Sequence, residues 1–136
     1  MSRYLSESVK KLVRERANLC CEYCRQPESN SFIKFQFDHI IAIRHGGKSV
    51  LENLAFCCMI CNRLKGTDLA TYLLDEEKLI RLFHPRKHIW SAHFEVSEGV
   101  IYPKTDIGEA TIKLLDFNEI NRILERKNFM DTAWLS

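Results

Sequence analysis

No apolar run in this 136-residue sequence is long enough to span a bilayer, so a membrane-spanning helix is excluded. The opening stretch, MSRYLSESVKKLVRERANL, is too charged to act as a secretory signal, and a cytoplasmic protein is expected. There is no internal repeat and no low-complexity tract. With hydrophobic residues at 46% the chain has enough apolar side chains for a core, so disorder is excluded. No coiled-coil heptad argues for a dimer. Nor does a Pro/Gly-rich linker break the chain, so its two halves are expected to pack together rather than swing freely.

Charge is nearly balanced, with a formal net of +2, but unevenly placed. Residues 1–68 carry eleven Lys/Arg against seven Asp/Glu, and residues 69–136 carry nine against eleven. A modestly basic front half permits nucleic-acid binding without requiring it. The six cysteines, in a reducing compartment, read as metal ligands or buried thiols; three disulfides is the reading for a secreted chain.

SESVKKLVRERA sets Val9, Leu12, Val13 and Ala17 on one face with Ser6 as N-cap, and predicts an amphipathic helix. FIKFQFDHIIAI predicts a strand, RHGGKSVLEN a loop, NLAFC a short returning strand, and ICNRLKG a short helix closed by Gly66. In the second half EEKLIRLFHPR reads as partly helical. WSAHFEV and GVIYP read as two strands joined by a Ser97–Glu98–Gly99 turn. DIGEATIKLLDF and NEINRILERKNFM read as helices, the latter opened by Asp116 or Asn118.

Two cysteine pairs carry the strongest chemical signal. Cys21-x-x-Cys24 and Cys58-x-x-Cys61 each present two thiolates close enough to share a tetrahedral ion, and Zn²⁺ suits four sulfur ligands. Thirty-three residues separate the pairs, so a whole substructure lies between them. Cys20 and Cys57 each adjoin a pair and read as buried thiols. Within the enclosed segment Asp38 and His39 are adjacent, Asn53 follows a glycine-bearing loop, and Asn62 stands directly behind the second pair.

This set, DHIIAIRHGG…ENLAFCCMICNRLKG, resembles the His-Asn-His (HNH) endonuclease family over about residues 18–68. The resemblance implies an α+β chain whose core, residues 1–68, is a ββα-metal (His-Me finger) nuclease stapled by a four-cysteine zinc site. Residues 69–136 would form a small C-terminal β-hairpin/helix extension packed on it. The tail from LFHPRKHIWSAHF onward resembles the C-terminal extension of cyanobacterial-type members. The family's last His is here Asn62.

Phosphodiester hydrolysis gives each residue a role under this resemblance. An imidazole with a reference pKa near ~6.5 can take a proton from water, which suits His39 as general base. Asp38, on the opposite side of the strand, and Asn62, from the helix, would offer oxygens to one hard cation, Mg²⁺ or Mn²⁺. Asn53 would hold the loop and orient the His39 ring. Arg63 and Lys65 would pair with flanking phosphates of DNA. The histidines His45, His84, His88 and His93 read as ordinary loop, surface or core residues, and Trp90, Phe94, Tyr102 and Trp134 as core aromatics. Double-strand cutting would require a dimer or two successive nicks. The alternative from another class is a non-catalytic, zinc-dependent nucleic-acid-binding module.

Overall fold

The computed structural model describes residues 5–131, and the chain forms two compact units. The first runs to Leu69 and takes in His84–Lys87; the second comprises Ala70–Phe83 and the chain from His88 onward.

In the first unit α1 (Glu7–Arg16) begins where the Ser6 hydroxyl accepts from the Val9 amide at 3.2 Å. Glu7 in its first turn and Arg14 and Arg16 in its last complement the helix dipole. Val13 and Ala17 are buried, but Leu12 is 52% exposed, because Val9, Val13 and Ala17 follow one i, i+4 line and Leu12 lies off it. The segment expected to be one long strand pairs only over β1 (Gln36–His39), since its partner β2 (Leu54–Cys57) has just four residues. They run antiparallel, from Gln36 opposite Cys57 to His39 opposite Leu54.

All four residues of β2 are buried. Phe56 is the centre of this core, with the rings of Phe35 and Phe37 at 5.4 and 5.6 Å. The first cysteine pair lies along the other side of the strand: Glu22 N donates to Phe56 O at 2.8 Å, and Phe56 N donates to Glu22 Oε1 at 2.9 Å. A side-chain carboxylate thus takes the place of a strand carbonyl. After β2, α2 (Met59–Lys65) starts on the Cys58 sulfur and stops at Gly66, whose φ of 52° would strain any residue with a Cβ.

The second unit begins with a hairpin of β3 (Ala70–Tyr72) and β4 (Leu79–Arg81). The helical expectation for EEKLIRLFHPR fails here. Leu79 and Arg81 are exposed and Ile80 is buried, the alternation of a strand, and Ile80 and Leu82 join Ala110 in this unit's core. One helical turn, α3 (Trp90–His93), replaces the start of the expected next strand and leads into β5 (Phe94–Ser97). Its partner β6 (Val100–Pro103) follows a tight turn at Glu98 (φ 53°) and Gly99 (φ 82°), the backbone pattern of a two-residue hairpin loop. Then come α4 (Asp106–Leu114), capped by Thr105, and α5 (Ile120–Asp131). Asn118 does not open α5 with its side chain. It accepts from Ile101 N at 2.9 Å and donates to Ile101 O at 2.8 Å, tying β6. Phe94 is buried, whereas Tyr102 is 48% exposed; Trp134 lies outside the described residues. The architecture is α+β, with β1, β2 and α2 in ββα order around the four cysteines.

Candidate active site and metal centre

The cysteine knuckles are built by local backbone bonds. Cys24 N points at Cys21 Sγ and Cys61 N at Cys58 Sγ, both at 3.4 Å, so each pair turns one amide hydrogen onto its first sulfur. Arg25, at φ 70°, reverses the chain after the first pair and returns its amide to Cys21 O at 2.9 Å. The Sγ atoms of Cys21, Cys24, Cys58 and Cys61 all lie within 4.8 Å of one another. Cys24 and Cys58 sulfurs are 3.8 Å apart, far from a disulfide bond. A tetrahedron with metal–sulfur bonds of ~2.3 Å has edges of about 3.8 Å, so the donor set has the size of a tetrathiolate site. Burial pushes the Cys21 and Cys61 thiols well up, and four buried thiolates are stable only around a cation. Cys57 is fully buried beside this site as expected, while Cys20 is only half-buried.

Asp38 is 6% exposed and is held from two sides. Tyr23 OH, from inside the first knuckle, donates to Oδ2 at 2.8 Å. Lys65 Nζ, from the last turn of α2, lies 3.1 Å from the same oxygen and 3.5 Å from Oδ1. The ammonium also reaches Ile40 O at 3.0 Å and His39 O at 3.4 Å. Burial pushes the Asp38 carboxyl up, and the Lys65 charge with the Tyr23 hydrogen bond pulls it back down. Here the structure corrects one expectation. Lys65 is 2% exposed and cannot meet a phosphate, because its three N–H donors are spent on β1 and the chain after it. Arg63 remains exposed on α2.

His39 closes β1. Its Nε2 is 2.9 Å from Ser49 Oγ. Asn53 does hold the loop, with every hydrogen bond of its carboxamide going to main chain: Oδ1 accepts from Ile41 N at 2.8 Å, and Nδ2 donates to Ile41 O and Lys48 O at 2.9 Å each. The side chain that meets the His39 ring is Ser49, which follows Lys48, one of the residues whose main chain Asn53 bonds. Gly47 is required there by close approach. A Cβ on it would sit 1.7 Å from Ile41 O and 2.9 Å from Asn53 Nδ2.

Asp38, His39 and Asn62 line one cleft of about 280 Å³, together with Phe37, Arg44 and Thr67. The sequence places these three on two elements, Asp38 and His39 on β1 and Asn62 on α2; the fold brings them to one surface depression. Asn62 Nδ2 donates to Gln36 Oε1, which leaves the Asn62 carbonyl oxygen as the free end of that amide. Asp38 Oδ1 is likewise the less committed carboxylate oxygen. Two oxygen donors lining one polar cleft fit a hard cation better than a soft one. Sequence reasoning missed Tyr23, Gln36 and Ser49. Gln36 had a signal, since it shares a strand face with Asp38 by period two; the other two contacts are tertiary. Among the described residues the four cysteines are the one group of three or more His, Cys, Asp or Glu side chains gathered closely enough to hold an ion. His88 and His93 rings instead lie 5.2 Å apart beside Phe83, and His84 Nδ1 accepts from the Arg86 and Lys87 amides.

Residues 21–68 match the family model described as HNH endonuclease, and the four clustered cysteines within that segment are consistent with the zinc-knuckle type. No curated protein and no solved structure matches the chain. The matched segment contains both cysteine pairs, Asp38, His39, Asn53 and Asn62. Among the described residues no helix is long and apolar enough to cross a membrane.

Proposed function

We propose that this protein is a metal-dependent endonuclease that hydrolyses phosphodiester bonds in DNA, with zinc in the four-cysteine site as scaffold. The observation that carries this reading is the cleft lined jointly by Asp38, His39 and Asn62 within the HNH segment. His39 is the general base that takes the proton of the attacking water, its ring steadied by Ser49 and its main chain by Lys65. Asp38 and Asn62 are the residues that would hold one Mg²⁺ or Mn²⁺. When bound, that cation offsets phosphoryl charge and stabilises the leaving oxygen. Asn53 acts through the loop rather than on substrate. Arg63, exposed on α2, is the cation placed to meet a flanking phosphate, and Arg44 on the cleft wall is a second.

With only two protein oxygens to hold it, such a cation would bind weakly before nucleic acid does. Supercoiled plasmid incubated with the protein and Mg²⁺ or Mn²⁺ tests the reading. Nicked or linear product is expected, falling by about 10²–10⁴-fold in His39→Ala. Cleavage that His39→Ala leaves unchanged rejects it. The four-cysteine site by itself suits a non-catalytic binding module equally well. Salt-dependent DNA binding with no cutting under any metal would select that module.

A further inference from the structure

Tyr23 lies between the two cysteines of the first knuckle, yet its hydroxyl leaves the knuckle and donates to Asp38 Oδ2 at 2.8 Å. The side chain is 1% exposed, so the hydroxyl has no water to turn to. Lys65 approaches the same oxygen at 3.1 Å from α2, the helix that begins on Cys58 and contains Cys61. The carboxylate is thus gripped at one oxygen from both halves of the four-cysteine site. Its other oxygen, Oδ1, has only the 3.5 Å contact to Lys65, and Asp38 lines the cleft.

We infer that Tyr23 and Lys65 form a carboxylate clamp that fixes Asp38 with Oδ1 toward the cleft, making Tyr23 a positioning residue for the divalent-cation site. This rests on the nuclease reading above and deepens it. A carboxylate free to rotate about its last bond would offer either oxygen, at any tilt, to a cation. Occupying Oδ2 with a buried neutral donor and a buried ammonium removes that choice. Outer partners of metal ligands act in this way, and their removal costs roughly 10–100-fold in metal affinity. The clamp also couples the two centres: the knuckle that holds one ion supplies the hydroxyl that prepares the site for the other.

The test is made on the full chain with zinc bound, in the His39→Ala background so that DNA stays intact. Mn²⁺ is titrated into protein with a DNA duplex, and free Mn²⁺ is read by electron paramagnetic resonance. Tyr23→Phe, which removes one oxygen and keeps the ring, is expected to weaken Mn²⁺ binding by about tenfold or more while zinc content stays at one per chain. In an Asp38→Asn background the same change is expected to have no further effect, because there is no carboxylate left to orient. Unchanged Mn²⁺ affinity in Tyr23→Phe overturns the clamp and leaves the nuclease reading standing. A Tyr23→Phe protein that loses zinc or its thermal transition also overturns it, since the hydroxyl is then structural. Absence of Mn²⁺ binding in the parent protein removes the cation site itself, and the clamp with it.

Discussion

At the scale of single residues, the long loop between β1 and β2 rests on Asn53. The side chain is 9% exposed and makes three hydrogen bonds to the main chain of Ile41 and Lys48. Ser49, which meets the His39 ring, is the next residue after Lys48. Asn53→Ala leaves one amide and two carbonyls without partners in a largely buried place, at about 1–3 kcal/mol for each group that water cannot reach. The expected result is a loss of roughly 2–3 kcal/mol in urea unfolding. Cleavage should fall further than stability accounts for, with kcat affected more than KM, because the ring is displaced and no substrate contact is removed. Equal loss of KM and kcat would place Asn53 on the substrate instead. How legible is this in the sequence? Asn53 is readable as a loop-holding residue only through what the family resemblance implies for it. Lys65 is not readable as the partner of Asp38 so long as a lysine is assumed to be solvated. Its spacing of three from Asn62 puts both on the face of α2 that meets β1, a signal present in the sequence but outweighed by that assumption.

At the scale of elements, the four cysteines are legible because ligand spacing is a local property, and so is the β5–β6 hairpin, whereas the β3–β4 hairpin is not. β4 is only three residues long, too short for alternation to stand out against the helix-forming residues of EEKLIRLF. In the first unit the elements are short as well: β1 and β2 have four residues each and α2 has seven. A seven-residue helix is not stable by itself. The metal site supplies what these lengths lack, since β2 runs into Cys58, α2 contains Cys61, and the first knuckle is bonded along β2 through Glu22. Cys24→Ser should therefore unfold the β1–β2–α2 substructure rather than merely lower metal affinity. The measurement is amide exchange at Phe56, Cys61 and Asn62, whose protection is expected to vanish in Cys24→Ser and in chelator-stripped protein, and to return when zinc is restored to the latter. Protection that survives chelation would mean that the apolar contacts of Phe35, Phe37 and Phe56 hold the unit together unaided.

At the scale of the whole molecule, the first unit, which contains the HNH match, is not one continuous stretch. The chain leaves it after Leu69 and comes back for His84–Lys87. Family resemblance over residues 18–68 gives no hint of this return, because the resemblance ends before it. The returning segment is tied in by charge. Arg86 is ion-paired through its Nη2 to Glu22 Oε2, with both side chains largely buried, and Glu22 is the residue that bonds Phe56 along β2. Burial, with Arg16 nearby, pushes the Arg86 guanidinium down to about 10, which leaves it charged at neutral pH. The turn that presents it is fixed by His84, whose Nδ1 accepts two amides and whose carbonyl accepts the Lys87 amide at 3.1 Å. Removing one partner of a buried ion pair strands the other, and for wholly buried pairs this costs about 3–5 kcal/mol. Arg86 and Glu22 retain some exposure, so Arg86→Met is expected to cost about 2 kcal/mol, read as a thermal midpoint roughly 5–10 °C lower. A chain ended after Leu69, which keeps every residue of the HNH match, should lose at least as much and cut plasmid less well at about 37 °C. Equal stability of the shortened chain and the full protein would show that the returning segment is an ornament and that residues 1–69 suffice as the enzyme.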